Sequence, residues 1–227
     1  MKCNKINRSS GNNKSKNFKH SIAFHEAGHA IGICLNNQAK QQQPVFFQIV
    51  FKDLGRDDAL NGSLLNADDN VASVEGGRLI SSLIYNVDGL TRKLISMDKD
   101  LTPLVKDYQI AFEADIVNFL IGPLAEAKQA YLNDNEHFNY QLIDLNALKN
   151  YGGESDLALV MEYLENYFDD KERQEEKLNE LFIAAGDFIS DSENWKAITK
   201  LADYIIDNDK EIISCEEVFS LLTEVTQ

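Results

Sequence analysis

The sequence predicts a mainly α-helical fold of the α+β type, with one small β element near its N-terminal third. Three observations predict it. The last sixty residues hold three stretches whose apolar residues return at helical spacing. The segment from Phe112 to Leu132 is apolar nearly all the way round. The stretch rich in β-branched and aromatic residues, "VFFQIVF", is short and comes early. A length of 227 residues suits a single domain with a sizeable core, expected over residues 20–227.

Residues 1–19, "MKCNKINRSSGNNKSKNFK", carry six basic residues, no acidic one and many Asn and Ser, which reads as a disordered basic tail. The tail has no continuous apolar stretch, so a secretory signal is not expected, nor has it the amphipathic face of a transit peptide. Ser21 is the expected N-cap of a helix covered by Ile22, Phe24, Ala27, Ile31, Ile33 and Leu35, which Asn36-Asn37 ends. Val45 to Phe51, after Pro44, reads as a strand. Residues 52–70 are polar and turn-rich, with one more short strand expected around Ser63 to Leu65. Residues 71–86 read as helix, and the pattern is ambiguous from there to residue 105.

Phe112 to Leu132 reads as a helix buried on several sides, which Pro123 should kink or split because it deletes a backbone hydrogen bond. In "YGGESDLALVMEYLENYF" the glycines end one element and Ser155 is the expected cap of the next. Its apolar face is expected from Leu157, Val160, Met161, Leu164 and Phe168. Three amphipathic helices follow. The first carries Leu178, Leu181, Phe182, Ala185 and Ile189. The second follows Ser192 with Trp195, Ile198, Leu201 and Ile205. The third begins with Ser214 and Glu217 at the spacing of a capping box. No internal repeat is present.

Composition excludes several classes of function. A net charge of -15 argues against binding nucleic acid or anionic membranes, both of which attract basic surfaces. No apolar run reaches the roughly 18–20 residues of a membrane span. Cys3, Cys34 and Cys215 are far apart, so a disulfide framework is not expected and a reducing cytoplasm fits. There is no phosphate-cradling glycine loop ending in Gly-Lys-Ser/Thr, so ATP hydrolysis by this chain is not expected.

The chemistry lies in "SIAFHEAGHAIGICL", Ser21 to Leu35. Positions i and i+4 share one face of an α-helix, so His25 and His29 project side by side and can each give one nitrogen to a metal ion. Zinc suits imidazole. Glu26 points to the side, where it can act as general base on a water that the metal activates; this is the mechanical meaning of H-E-x-x-H. An amphipathic helix with satisfied histidines would produce the same letters. Against that, the chain has four histidines and two of them sit here among apolar residues. Gly28 and Gly32, each costing on the order of 1 kcal/mol against Ala, make a smooth groove for another backbone.

From the residues alone the third ligand is open among Glu113, Glu126, His137, Glu154 and Asp156. Asp156 has a local argument, because a carboxylate in the first turn of a helix is favoured by the dipole and held on a rigid element. Glu126, on an otherwise apolar helix, reads as half of a structural salt bridge or as an acceptor behind a ligand imidazole. His20 and His137 read as solvated, and Trp195 as core.

"HEAGHA" (His25 to Ala30), "DIVNFLIGPLAEA" (Asp115 to Ala127) and "GGESDLALV" (Gly152 to Val160) resemble, in order, three segments of the FtsH-type zinc metallopeptidase domain. The resemblance implies a zincin-like helical peptidase fold, Zn2+ as cofactor, His25, His29 and Asp156 as ligands, and Glu26 as base. The family's Gly-Ala-Ser-Asn-Asp-Leu stands here as Gly152-Gly153-Glu154-Ser155-Asp156-Leu157, and a longer separation of His29 from Asp156 implies an insertion within residues 52–110. The sequence contains no counterpart of the FtsH ATPase or membrane anchor. The expected substrates are therefore peptides or unfolded protein, with a homo-oligomer or a separate ATPase as partner. Two other readings of the same residues are a zinc-holding regulatory module with little turnover and a hydrolase acting on a non-peptide amide. The intact Glu26 speaks against the first, since a module kept for binding has no use for a base.

Overall fold

Two long helices cross at the centre of the fold, and small residues let them come close. The computed structural model describes residues 9–52, 72–77, 102–208 and 210–223. Helix α1 (Ser9–Ile31) passes through a π-helical turn (Gly32–Asn36) into the short α2 (Asn37–Ala39). It packs on α3 (Thr102–Asn133). A Cβ added at Gly28 would lie 2.9 Å from Ala125 Cβ, Gly122 Cα and the Ile121 carbonyl, so the smooth face foreseen on α1 is the surface that receives α3. Ala23, Ala27, Ala30 and Ile31 of α1 meet Ile116, Leu120, Ile121, Leu124 and Ala125 of α3 in the core. Each large aliphatic buried there contributes about 1.5–3 kcal/mol.

Both ends of α1 differ from expectation. The helix starts at Ser9, so Ser21 lies inside it rather than capping it, and residues 9–19 are helical where composition predicts disorder. Residues 1–8 lie outside the described residues. Once the segment from Ile22 onward is docked, propagating the helix backward adds one hydrogen bond per residue without a new nucleation cost. At the other end Asn36 and Asn37 do not stop the helix. Both are buried, and the chain turns at Gln41, whose φ is 55°.

Pro123 does not split α3, which runs unbroken from Thr102 to Asn133. The lost hydrogen bond is outweighed by burial on either side, where Leu120, Ile121, Leu124 and Ala125 are inaccessible to solvent. The proline ring is seated against Gly153, where an added Cβ would lie 2.8 Å from Pro123 Cβ.

Strand β1 (Phe47–Phe51) forms as expected and is the middle of an antiparallel sheet ordered β2-β1-β3. Strand β2 (Ala72–Gly76) occupies the start of the segment read as helix. Its Val74 pairs across the strand with buried Ile49, and this partner overrides the weak local preference. Gly76 has φ +108°, and a Cβ there would meet the Phe46 carbonyl at 2.6 Å, so the strand ends at a position only glycine accepts. The remainder of 71–86 and the strand expected around Ser63 to Leu65 lie outside the described residues. Strand β3 (Ile212–Ser214) was not foreseen; three residues are too few to display a pattern.

Helix α4 (Glu154–Tyr167) follows two 3₁₀ segments, Tyr140–Leu142 and Leu145–Tyr151. Its cap position is Gly153, not Ser155, which lies in the first turn. Leu157, Val160, Leu164 and Phe168 are buried, whereas Met161 is 39% exposed, because one residue past Val160 the helix has turned by about 100° away from the core. Asp170 and Asp191 cap α5 (Lys171–Ser190) and α6 (Ser192–Asp207) through their carboxylates. Trp195 of α6 stacks on Phe24 of α1 with ring centroids 5.6 Å apart, a core role. The expected capping box opens α7 (Cys215–Thr223): Ser214 N–H donates to Glu217 Oε2 at 3.1 Å, and Glu217 N–H to Ser214 Oγ at 3.4 Å. Among the described residues no helix is long and apolar enough to cross a membrane, and Cys34 and Cys215 are free and buried.

Candidate metal centre

His25 and His29 lie one turn apart on α1, on the side turned toward α3 and the start of α4. Their Nε2 atoms are 3.1 Å apart. Asp156, in the first turn of α4, reaches both: Oδ2 lies 3.2 Å from His25 Nε2 and Oδ1 lies 3.2 Å from His29 Nε2. All three residues are buried, and together they form a group that could hold a metal ion. The spacing fits that use, since a tetrahedral ion bound at about 2.0–2.1 Å needs ligand atoms roughly 3.3–3.4 Å apart.

The far side of each ring is fixed as well. His25 Nδ1–H donates to Glu126 Oε2 at 3.1 Å and to the Tyr151 carbonyl at 3.2 Å. His29 Nδ1–H donates to the Asn118 carbonyl at 2.9 Å. With Nδ1 donating in both rings, each Nε2 faces the common centre, where it is free for an ion once its own proton is lost. Glycine makes room for this. A Cβ at Gly122 would fall 2.3 Å from His29 Nε2, so the ring lies directly over the α3 backbone. A Cβ at Gly152, whose φ is +71°, would fall 3.0 Å from His25 Nδ1 and 3.1 Å from Glu126 Oε2.

Glu26 sits beside the cluster, 6% exposed, and among the described residues its Oε2 has no hydrogen-bond partner. Burial raises its pKa, opposed by the charges of His25 and His29 and by a hydrogen bond from the Val74 backbone. Burial also disfavours charge on His25, but hydrogen bonds to Asp156 and Glu126 overcome this and hold its pKa well above the ordinary value. His29 moves the same way, burial being outweighed by the charge and hydrogen bonding of Asp156. For Asp156, burial is outweighed by the two histidines, which hold its carboxyl well below the usual carboxylate range.

The cluster opens into a cavity of about 430 Å³ lined by His25, Glu26, His29 and Asp156, by Ala72, Ser73 and Val74 of β2, and by apolar side chains that include Ile33 and Phe119. The other candidates for third ligand lie elsewhere. Glu113 pairs with Lys177 at 3.1 Å, and His137 and Glu154 are exposed. Glu126 accepts from His25 Nδ1–H, and the same contact is an ion pair when His25 is charged, so both readings of Glu126 meet in one interaction. Asn118, Tyr151, Gly122 and Gly152 were missed. The first two act through backbone carbonyls, which leave no side-chain signal. The last two lie inside the segments singled out, Asp115 to Ala127 and Gly152 to Val160, but a glycine does not show which ring will pack on it.

The chain matches no protein-family model, no curated protein and no solved structure.

Proposed function

We propose that this chain is a zinc metallopeptidase with the zincin-like site that its resemblance to the FtsH-type peptidase domain implies. One observation carries the proposal: in a single cavity, three convergent ligand residues stand beside a buried glutamate with an unpartnered oxygen. Such an oxygen is costly to bury unless a reaction uses it.

His25, His29 and Asp156 would hold the ion, with Glu126 and the Asn118 carbonyl orienting the two imidazoles. Zinc bound there supplies polarisation of a substrate carbonyl and a water of lowered pKa. Glu26 accepts the proton of the attacking water at Oε2 and passes it to the departing amine. The burial that raises its pKa makes it the stronger base.

Strand β2 favours a peptide over another amide. Among the described residues β2 is an edge strand, and its Ala72, Ser73, Val74 and Gly76 line the cavity. An extended chain can add to such an edge through backbone hydrogen bonds. A cavity of about 430 Å³ admits a few side chains, so the substrate is a peptide or an unfolded segment.

The test compares zinc-loaded wild type with Glu26→Gln on a peptide library and on an unfolded, alkylated protein. Wild type should hold one zinc per chain and cleave. Glu26→Gln should keep its zinc and lose about 10²–10⁴-fold in rate. Undiminished cleavage by Glu26→Gln would reject Glu26 as base. Zinc binding with no cleavage of any substrate would replace the peptidase by the regulatory module.

A further inference from the structure

Three asparagines are buried where α1 leaves the metal site. Asn36 and Asn37, at the π-helical turn and the start of α2, are 7% and 4% exposed, and Asn118 of α3 is 6% exposed. Asn36 Nδ2 donates to Asn118 Oδ1 at 2.8 Å and to the Ala114 carbonyl at 3.2 Å. Asn118 Nδ2 in turn donates to Asn37 Oδ1 at 3.1 Å. Successive residues of a regular α-helix point about 100° apart. Here the π-helical turn lets two neighbours reach the same side chain.

The same residue whose side chain is gripped in this way gives its backbone carbonyl to His29 Nδ1. Between the two contacts α1 offers α3 little relief: Gly28 lies against the α3 backbone, and a Cβ at Gly32 would fall 3.2 Å from Asn118 Oδ1. A face made smooth by glycine has fewer of the interdigitating side chains that stop one helix sliding along another, and those α1 keeps here are mostly alanines, Ala23, Ala27 and Ala30. Directional hydrogen bonds between carboxamides can supply that stop.

We infer that Asn36, Asn37 and Asn118 are positioning residues that lock the register of α1 on α3, so that the Asn118 carbonyl holds the His29 imidazole with Nδ1 protonated and Nε2 open to the ion. This rests on the zinc reading above for its purpose, although its geometry is independent of it. Without the clamp the carbonyl shifts relative to the ring. The ring can then rotate or exchange tautomer, and an Nε2 that carries the neutral ring's one proton is a poorer ligand for a cation than one whose lone pair is free.

The experiment uses the full chain. Nitrogen-15 signals of the His29 ring in the zinc-free protein, recorded at a pH high enough to leave the ring neutral, report which nitrogen carries the proton, and chelator competition gives the zinc affinity. In wild type Nδ1 should be protonated. Asn118→Leu, which keeps the carbonyl and removes the carboxamide, should mix the tautomers and weaken zinc binding about 10-fold or more. Asn37→Asp, which keeps the acceptor for Asn118 Nδ2, should lower the Tm through its buried charge while leaving the tautomer and zinc affinity near wild type. Should Asn118→Leu fail to fold, Asn36→Ala decides on the same readouts. An unchanged tautomer and affinity in Asn118→Leu and Asn36→Ala would overturn the inference, as would zinc losses that simply follow Tm across all three variants. A wild type that binds no zinc would instead sink the proposed function, with the tautomer measurement still deciding the clamp.

Discussion

Glu126 and His25, 101 positions apart in the chain, are joined by a hydrogen bond of 3.1 Å from His25 Nδ1 to Glu126 Oε2. The bond runs from the C-terminal half of one central helix to the C-terminal half of the other. It holds the ring with Nε2 toward Asp156, so a glutamate remote in sequence orients the first histidine of the H-E-x-x-H helix.

Replacing Glu126 by Ala should therefore weaken zinc binding by about 10–100-fold, the range typical of a lost hydrogen bond behind a ligand imidazole. Glu126→Gln, which keeps an oxygen acceptor, should lose less. Chelator competition measures both, and equal affinities for wild type and Glu126→Ala would contradict the role.

Gly122→Ala should lose zinc without losing the helix. Alanine is the better helix former by about 1 kcal/mol, yet its Cβ would fall 2.3 Å from His29 Nε2 and must displace the ring. The expected result is a helical circular dichroism spectrum with zinc bound well below one per chain. Full zinc occupancy would mean that the ring has room to move aside.

Asp156→Asn should weaken zinc binding by more than the 10–100-fold or so of a lost supporting hydrogen bond, because it removes a ligand carboxylate. Glu113→Ala should leave affinity unchanged, since Glu113 is engaged with Lys177 at 3.1 Å and Gln109 at 2.9 Å. Equal effects of the two substitutions would overturn Asp156 as third ligand.

The pH dependence follows from the protons that the metal-free cluster holds. The pKa values of His25 and His29 lie above the ordinary 6.5, so their contribution to stability is fully present below 6.5 and is lost as pH rises through the raised values. Asp156 lies below its ordinary 3.8, so its contribution is present above 3.8 and is lost as pH falls through the lowered value. Zinc must displace the histidine protons. Its affinity should thus go on climbing above about pH 8, where ordinary histidines have finished titrating. Titrations with released-proton counting measure this, and an affinity flat over that range would contradict the raised pKa values.

Some of this was legible because it is local. The strand read at Val45 to Phe51, which forms over Phe47–Phe51, and the capping box of Ser214 and Glu217 depend on neighbours a few residues away. Met161 was misread because helical spacing alone does not say how wide the buried face is. Strand β2 was misread because its strand character comes from pairing with Ile49, outside any local window. Pro123 was read as kinking or splitting the helix, and the split does not occur, because the rule for a lone helix neglects what burial on both flanks restores.

The sequence by itself determined that His25 and His29 share one face with Glu26 beside them, since the 3.6-residue repeat places side chains four apart in register wherever the helix forms. Only the tertiary structure decided which carboxylate meets them, what stands behind each ring, and that α1 continues through Asn36 and Asn37. Those choices close gaps of 131 residues from His25 to Asp156 and 89 from His29 to Asn118. No local propensity spans such gaps; the packing of α1 on α3, with glycines where the backbones touch, does.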